Sequence, residues 1–264
     1  MRHNGNGLTA LLGIGLLTAT ACSSVLPDLA SNVPPSRMGQ YMGSDSLGGA
    51  RTDEMLPEVP FRAGLVLVAD TTAKGAAPAL PDEALAQMAE SLREQLGNSL
   101  RLELVQTLPA QGIRPDGEVD QFVELGRRFG LDYLIVAIAS STEQEYPYTV
   151  FLGWTTHSQP GLRRDNWSLV EAALLDIRKG HVLLKAEGRG WATLDRPTAA
   201  GINQWYPVVW KRPQEPNWRW WPPSYDSAPH TLRVVAMHEA VKRLIIHMLD
   251  AWIEKRQDEL DRTG

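Results

Sequence analysis

Cysteine is almost missing from this chain: among 264 residues only Cys22 carries a thiol. A disulfide framework, a zinc site built from several thiolates and a CxxC redox pair are therefore excluded. Long apolar runs are missing too. The run Leu8 to Leu17 is about half the roughly 20 residues that a membrane-spanning helix requires. Positive charge is not in excess, with 26 Lys and Arg against 31 Asp and Glu and a net charge of −5. Nothing here recruits nucleic acid or an anionic surface by charge. Phe and Tyr are sparse at 4 and 6, whereas Trp reaches 9. The remainder, 43% hydrophobic and 22% charged, is ordinary globular composition.

The single cysteine has a telling position. Arg2 and His3 precede the apolar run, and the small residues Ala19, Thr20 and Ala21 stand directly before Cys22. A charged start, a short apolar core and a small-residue cleavage site make a secretory signal. With Cys placed after those small residues, the stretch resembles a bacterial lipoprotein signal, with Ala19 where that signal usually has Leu. The resemblance implies cleavage before Cys22, lipidation of its sulfur and acylation of the new N-terminus. Residues 1–21 are thus expected to be the signal peptide. Residues 22–62, rich in Ser, Pro and Gly, are expected to be the lipidated Cys and a flexible tether. About forty such residues would span about 35 Å as a coil.

Residues 63–264 read as a single α/β domain. Ala63–Ala69 is a continuous apolar run suited to a strand buried on both faces. Leu85, Met88, Leu92 and Leu96 repeat at helical spacing after Pro81-Asp82, and Gly97-Asn98 is the expected stop. A strand over 100–107, a second helix from Val119 to Phe129 and the buried strand Leu131–Ala139 complete a β-α-β-α-β half. An antiparallel meander follows, with strands expected at 149–156, 167–177 and 181–193. The last two join at Arg178-Lys179-Gly180. Gly188 and Gly190 suggest a bulge or bend. Residues 195–229 form a Trp/Pro-rich insertion without periodicity, and a long amphipathic helix closes the chain from Thr231 to about Asp261, its charged end from Glu254 projecting. The expected fold is α/β, with a mixed sheet, a meander and a C-terminal helix.

This order, together with the hairpin VEAALLDIRKGHVLLKAEG from Val170 to Gly188, resembles a set of bacterial envelope lipoproteins. These are the curli secretion channel subunit and the penicillin-binding-protein activator lipoproteins. The chain also looks like the rhombotarget lipoproteins, but it ends DELDRTG and lacks their C-terminal processing motif. The resemblance implies a domain anchored by Cys22 to the outer membrane, facing the periplasm.

Few residues suggest chemistry. His238-Glu239 begins like a zinc-protease H-E-x-x-H motif, but Lys242 stands where the second His belongs. No phosphate loop or dinucleotide fingerprint follows a strand, so no cofactor is expected. Glu143 and Glu145, read as a loop after the buried strand, are the one candidate carboxylate pair, and a solvated acidic loop explains them as well. The most distinctive segment is QEPNWRWWPPSY, Gln214 to Tyr225. Trp and Arg are enriched at interface hot spots, so Trp218, Arg219, Trp220 and Trp221 are the candidate partner-binding residues; a lid folded over the sheet is the alternative. The expected function is a non-enzymatic envelope scaffold that engages a periplasmic or envelope protein, or a second copy of itself. A cell-envelope hydrolase and a subunit of an outer-membrane export channel stand as alternatives.

Overall fold

In the computed structural model, which describes residues 32–48, 54–151, 158–198, 208–212, 219–220 and 226–263, the apolar runs form the centre of a mixed sheet. The elements are α1 (Met38–Met42), α2 (Ser44–Gly48), β1 (Arg62–Asp70), α3 (Asp82–Leu100), β2 (Glu103–Leu108), α4 (Asp120–Arg128), β3 (Tyr133–Phe151), β4 (Ser158–Asp176), β5 (His181–Pro197), β6 (Val208–Arg212), β7 (Arg219–Trp220) and α5 (Ala228–Thr263). The strand order is β2-β1-β3-β4-β5-β6-β7. β1 pairs parallel with β2 and β3, and every later pairing is antiparallel. This is the expected mixed α/β architecture with its closing helix.

Alternation along each strand separates two apolar layers. On one face Leu65, Ile135, Ala137, Ala172 and Leu174 meet Leu92 and Leu96 of α3 and Val241, Leu244 and Met248 of α5. On the other, Val66, Val136, Ile138, Ala173 and Leu175 meet Phe122 and Val123 of α4. The hairpin between β4 and β5 turns where expected. Asp176 Oδ1 accepts the backbone N–H groups of Arg178 and Lys179, and Gly180 takes a φ of +70°.

Several expectations need correction. The compact unit begins at Asn32, not at residue 63. Within the supposed tether, Met38, Tyr41 and Met42 are buried in the α4-side core, and Leu56 is buried in the other. Spaced i, i+3, i+4, the first three form one apolar helical turn, too short to register as periodicity in a Ser/Gly-rich context. β3 does not stop at Ala139 but runs 19 residues, about 60 Å, absorbing the start of the strand expected at 149–156. Residues 152–156 of that expected strand, with Leu152 and Trp154, lie outside the described residues. α3 continues through Gly97-Asn98 to Leu100, and Arg101 ends it in the left-handed region at φ 54°.

Gly188 and Gly190 mark a close approach instead of a bulge. A Cβ at either would land on the backbone of α5, at Ala240 and Leu244 or at Ala236 and Ala240. The register shift falls at Leu174/Leu175, opposite β5. Part of the insertion is regular, since β6 and β7 extend the sheet. The charged end of α5 is docked. Lys255 Nζ donates to the Leu183 carbonyl at 2.8 Å, and Leu56 N–H donates to Glu259 at 2.5 Å.

Candidate functional site

β3, β4 and β5 carry on well beyond the two main apolar layers. In that extension charged and hydrogen-bonded side chains enter both faces, beside a smaller apolar cluster in which Ala192, Leu194 and Val209 meet Leu232, Val235 and Ala236 of α5. From Ser140↔Leu169 to Phe151↔Ser158 the β3–β4 ladder adds about 35 Å. On the face that α4 covers further down, Asp165 is buried and accepts from Tyr146 Oη at 2.7 Å and from Thr193 Oγ1. Arg163 forms a two-pronged pair with Asp195 at 2.7 and 2.8 Å, and its guanidinium lies 3.4 Å from the centre of the Tyr148 ring. Trp167 and Trp191 stack directly across β4 and β5 at 6.0 Å. Burial and the Asp165 carboxylate push the Tyr146 hydroxyl well above its ordinary value, so it stays a donor. Burial and the neighbouring Arg163 draw Arg212 below its ordinary value.

The opposite face is equally satisfied. Glu143 accepts from both prongs of Arg233 on α5 at 2.6 and 3.1 Å and from Asn166 at 3.2 Å. Glu145 is held by Arg164 at 2.8 Å and lies 3.7 Å from Arg196. The pair read as a loop is therefore part of β3, with its two carboxylates pointing to one face and each bound by its own arginine. Arginine engages both carboxylates, which favours a framework role for them over an acid–base one.

A third polar cluster fastens the N-terminal segment. Glu171, buried on β4, accepts the backbone N–H groups of Arg37 and Met38 at 2.6 and 3.1 Å and the hydroxyl of Ser36 at 2.5 Å. A side chain 133 residues away thus caps α1, whose own sequence supplies no cap. Arg37 in turn reaches the Asp70 carboxylate and Thr72. Burial would raise the Asp70 pKa, but the Thr72 hydrogen bonds and the Arg37 guanidinium outweigh it and hold the carboxyl below its usual value. Burial, then the same carboxylate, pushes the Tyr41 hydroxyl up to about 12. Sequence reading missed this cluster. The lone Arg37 beside an apolar turn in a Ser/Pro-rich stretch was its only local signal.

Of the expected site residues, Cys22, Trp218 and Trp221 lie outside the described residues. Arg219 and Trp220 form β7 at the sheet edge, opposite Trp210 and Val209. His230 and His238 border a cleft between α3 and α5. Among the described residues no group of three or more His, Asp or Glu side chains could hold a metal ion, and no helix is long and apolar enough to cross a membrane.

No protein-family model matches this sequence. No curated protein matches it. Its fold is similar to that of several solved structures. A candidate neuraminyllactose-binding hemagglutinin homologue from Helicobacter pylori aligns at 10% identity and a TM-score of 0.38, over 79% of this chain and 94% of that one. A candidate lipoprotein from Caulobacter crescentus aligns at 15% identity and 0.29, over 73% and 91%. Lipoprotein GNA1162 from Neisseria meningitidis aligns at 13% identity and 0.28, over 54% and 90%. At these values nothing about function passes from them to this chain.

Proposed function

We propose that this protein is a lipid-anchored, non-catalytic component of the bacterial cell envelope. It is held by Cys22 at the outer membrane, faces the periplasm and engages a protein partner. The observation that carries this reading is the lipoprotein-like stretch Ala19-Thr20-Ala21-Cys22, which stands close in sequence to the folded unit. The compact unit begins at Asn32, ten peptide steps after Cys22, a reach of at most about 35 Å. With Cys22 lipidated, a connection of that length would keep the domain near the bilayer. The ion pairs of Glu143, Glu145 and Asp195 and the hydroxyl hydrogen bonds to Asp165 support a framework role for them over a catalytic one. The position of Arg219 and Trp220 on a two-residue edge strand supports a contact role for that segment.

The alternative of a membrane-pore hairpin gains no support from β3 and β4. Glu143, Glu145 and Arg164 on one face and Arg163 and Asp165 on the other leave neither with the apolar band that a lipid-facing strand needs.

Two measurements test the proposal. Labelled fatty acid should enter the wild-type protein and not Cys22→Ser, and a chain that takes up no lipid would end the anchored reading. Crosslinking in intact envelopes should recover a partner that the combined Trp218→Ala, Trp220→Ala, Trp221→Ala variant loses. A folded triple variant with an unchanged partner would remove the Trp segment from the interface.

A further inference from the structure

Between α3, α5 and β6 lies a cleft of about 550 Å³ whose lining is predominantly apolar. Helix α5 presents His230, Val234, His238 and Lys242 to it, each four residues after the last, so the four form one stripe. Val235 floors the cleft, and Lys211 enters from β6. The same His230, Val234 and His238 also border a second hollow of about 220 Å³ lined by Leu80, Ala84, Met88 and Met237. The two hollows share one ridge of α5; the larger is mostly apolar, and the smaller, which Glu83 and Gln87 also line, is mixed in polarity.

The charge at that end is positive. Lys211 and Glu239 are both about nine-tenths buried and pair at 2.7 Å. Glu239 also accepts from Arg243 at 3.1 Å. Among the described residues one buried acid faces two cations, and the exposed Lys242 adds a third positive charge at the rim. In a chain whose net charge is −5, this excess is local. A lysine ammonium has three donors, so Lys242 can bind an anion. A cavity of this size, apolar with a few charged groups gathered at one side, has the form of a small-molecule site.

We propose that this cleft binds a single acyl chain carrying an anionic head group. The chain lies over Val234 and Val235 in the larger hollow. The head lies at Lys242, within the positive field of the Lys211–Glu239–Arg243 cluster. A carboxylate and a phosphate head satisfy the same cations, so the ligand is either a free fatty acid or a lysophospholipid.

The test uses a Ser23–Gly264 form, which retains the whole compact unit Asn32–Gly264 and has no lipid of its own. It is titrated calorimetrically with dodecanoate, with lysophosphatidylglycerol and with a neutral dodecyl glycoside, each below its micellar concentration. At least one anionic probe should bind with a Kd of about 1–100 μM, and the glycoside about tenfold or more weakly. Whichever anion binds identifies the head group. Lys242→Glu, an exposed substitution that leaves folding intact, should weaken the anion by about five- to tenfold. Val234→Trp should fill the cleft and abolish binding, while Ile246→Glu, exposed elsewhere on α5, should leave it unchanged. Absence of binding by both anions, equal binding of the neutral glycoside, or unchanged affinity in Lys242→Glu would each overturn the proposal.

Discussion

β3 is one continuous strand assembled on two different principles. From Tyr133 to Ser140 it is apolar on both faces and lies between helices, with Ile135, Ala137 and Ile138 fully buried. From Ser141 onward charged and aromatic side chains enter beside it, and its contacts include the pairs Glu143–Arg233, Glu145–Arg164 and Tyr146–Asp165. The first half is stabilised by removing apolar surface from water, which any side chain of similar size and polarity can do. The second depends on specific partners, where the loss of one member strands the other. The lower part of the sheet therefore tolerates repacking, and the upper part tolerates only paired change.

The largest effects come from breaking each half by its own rule. Ile135→Ala should lose about 4 kcal/mol in a denaturant titration, with little dependence on salt, because a buried side chain leaves a cavity between β1 and α5. Arg163→Ala should lose about 3 kcal/mol by leaving Asp195 buried and unpaired. The comparison sharpens in the double variant Arg163→Met, Asp195→Leu, which should recover most of that loss, since an apolar pair can replace a buried ion pair. A double variant no more stable than Arg163→Ala would mean that the cation contact with Tyr148 and the neighbouring hydrogen bonds, not the ion pair, hold the upper sheet.

The same contrast explains what could be read from the residues. The apolar runs at 63–69 and 131–139 and the helical spacing of Leu85, Met88, Leu92 and Leu96 carry their own burial pattern. Strands and helices followed from them, as did the hairpin at Gly180. The upper half of β3 was illegible because Glu143 and Glu145 look solvated until Arg233, ninety residues on, and Arg164 come beside them. Its strand character is made by pairing, not by propensity. The N-terminal segment was hidden for the same reason. Its helical turn offers only three apolar residues, Met38, Tyr41 and Met42, and its cap is Glu171, supplied by a distant strand. Gly188 and Gly190 signalled that something special happens on β5, but only the position of α5 shows that it is close packing.

A smaller effect separates the N-terminal segment from both halves. Glu171→Gln keeps the shape but weakens the acceptor that caps α1, and should lower stability by about 1–2 kcal/mol. Proteolysis at residues 32–48 should accelerate more than global unfolding does. Equal acceleration of the two would mean that this segment and the sheet open as one unit.

The smallest expected effect is alkaline and places one tyrosine in each region. Tyr41 sits in the lower core with its pKa raised from 10.0 to about 12, and Tyr146 in the upper lattice is raised as well. In both, burial and a neighbouring carboxylate, Asp70 or Asp165, favour the neutral hydroxyl. A folded pKa above the unfolded value means that the folded state holds its proton more tightly. The stabilisation is complete below about pH 10 and declines as pH rises toward and through the folded value. Stability measured by denaturant should therefore fall between about pH 10 and 12, and tyrosinate absorbance should lag behind that of exposed tyrosines. Tyr41→Phe and Tyr146→Phe should each flatten part of this fall, and the double variant most of it. If Tyr41→Phe alone removes the whole slope, the upper lattice is open to solvent at high pH, and its hydrogen bond to Asp165 does not survive there.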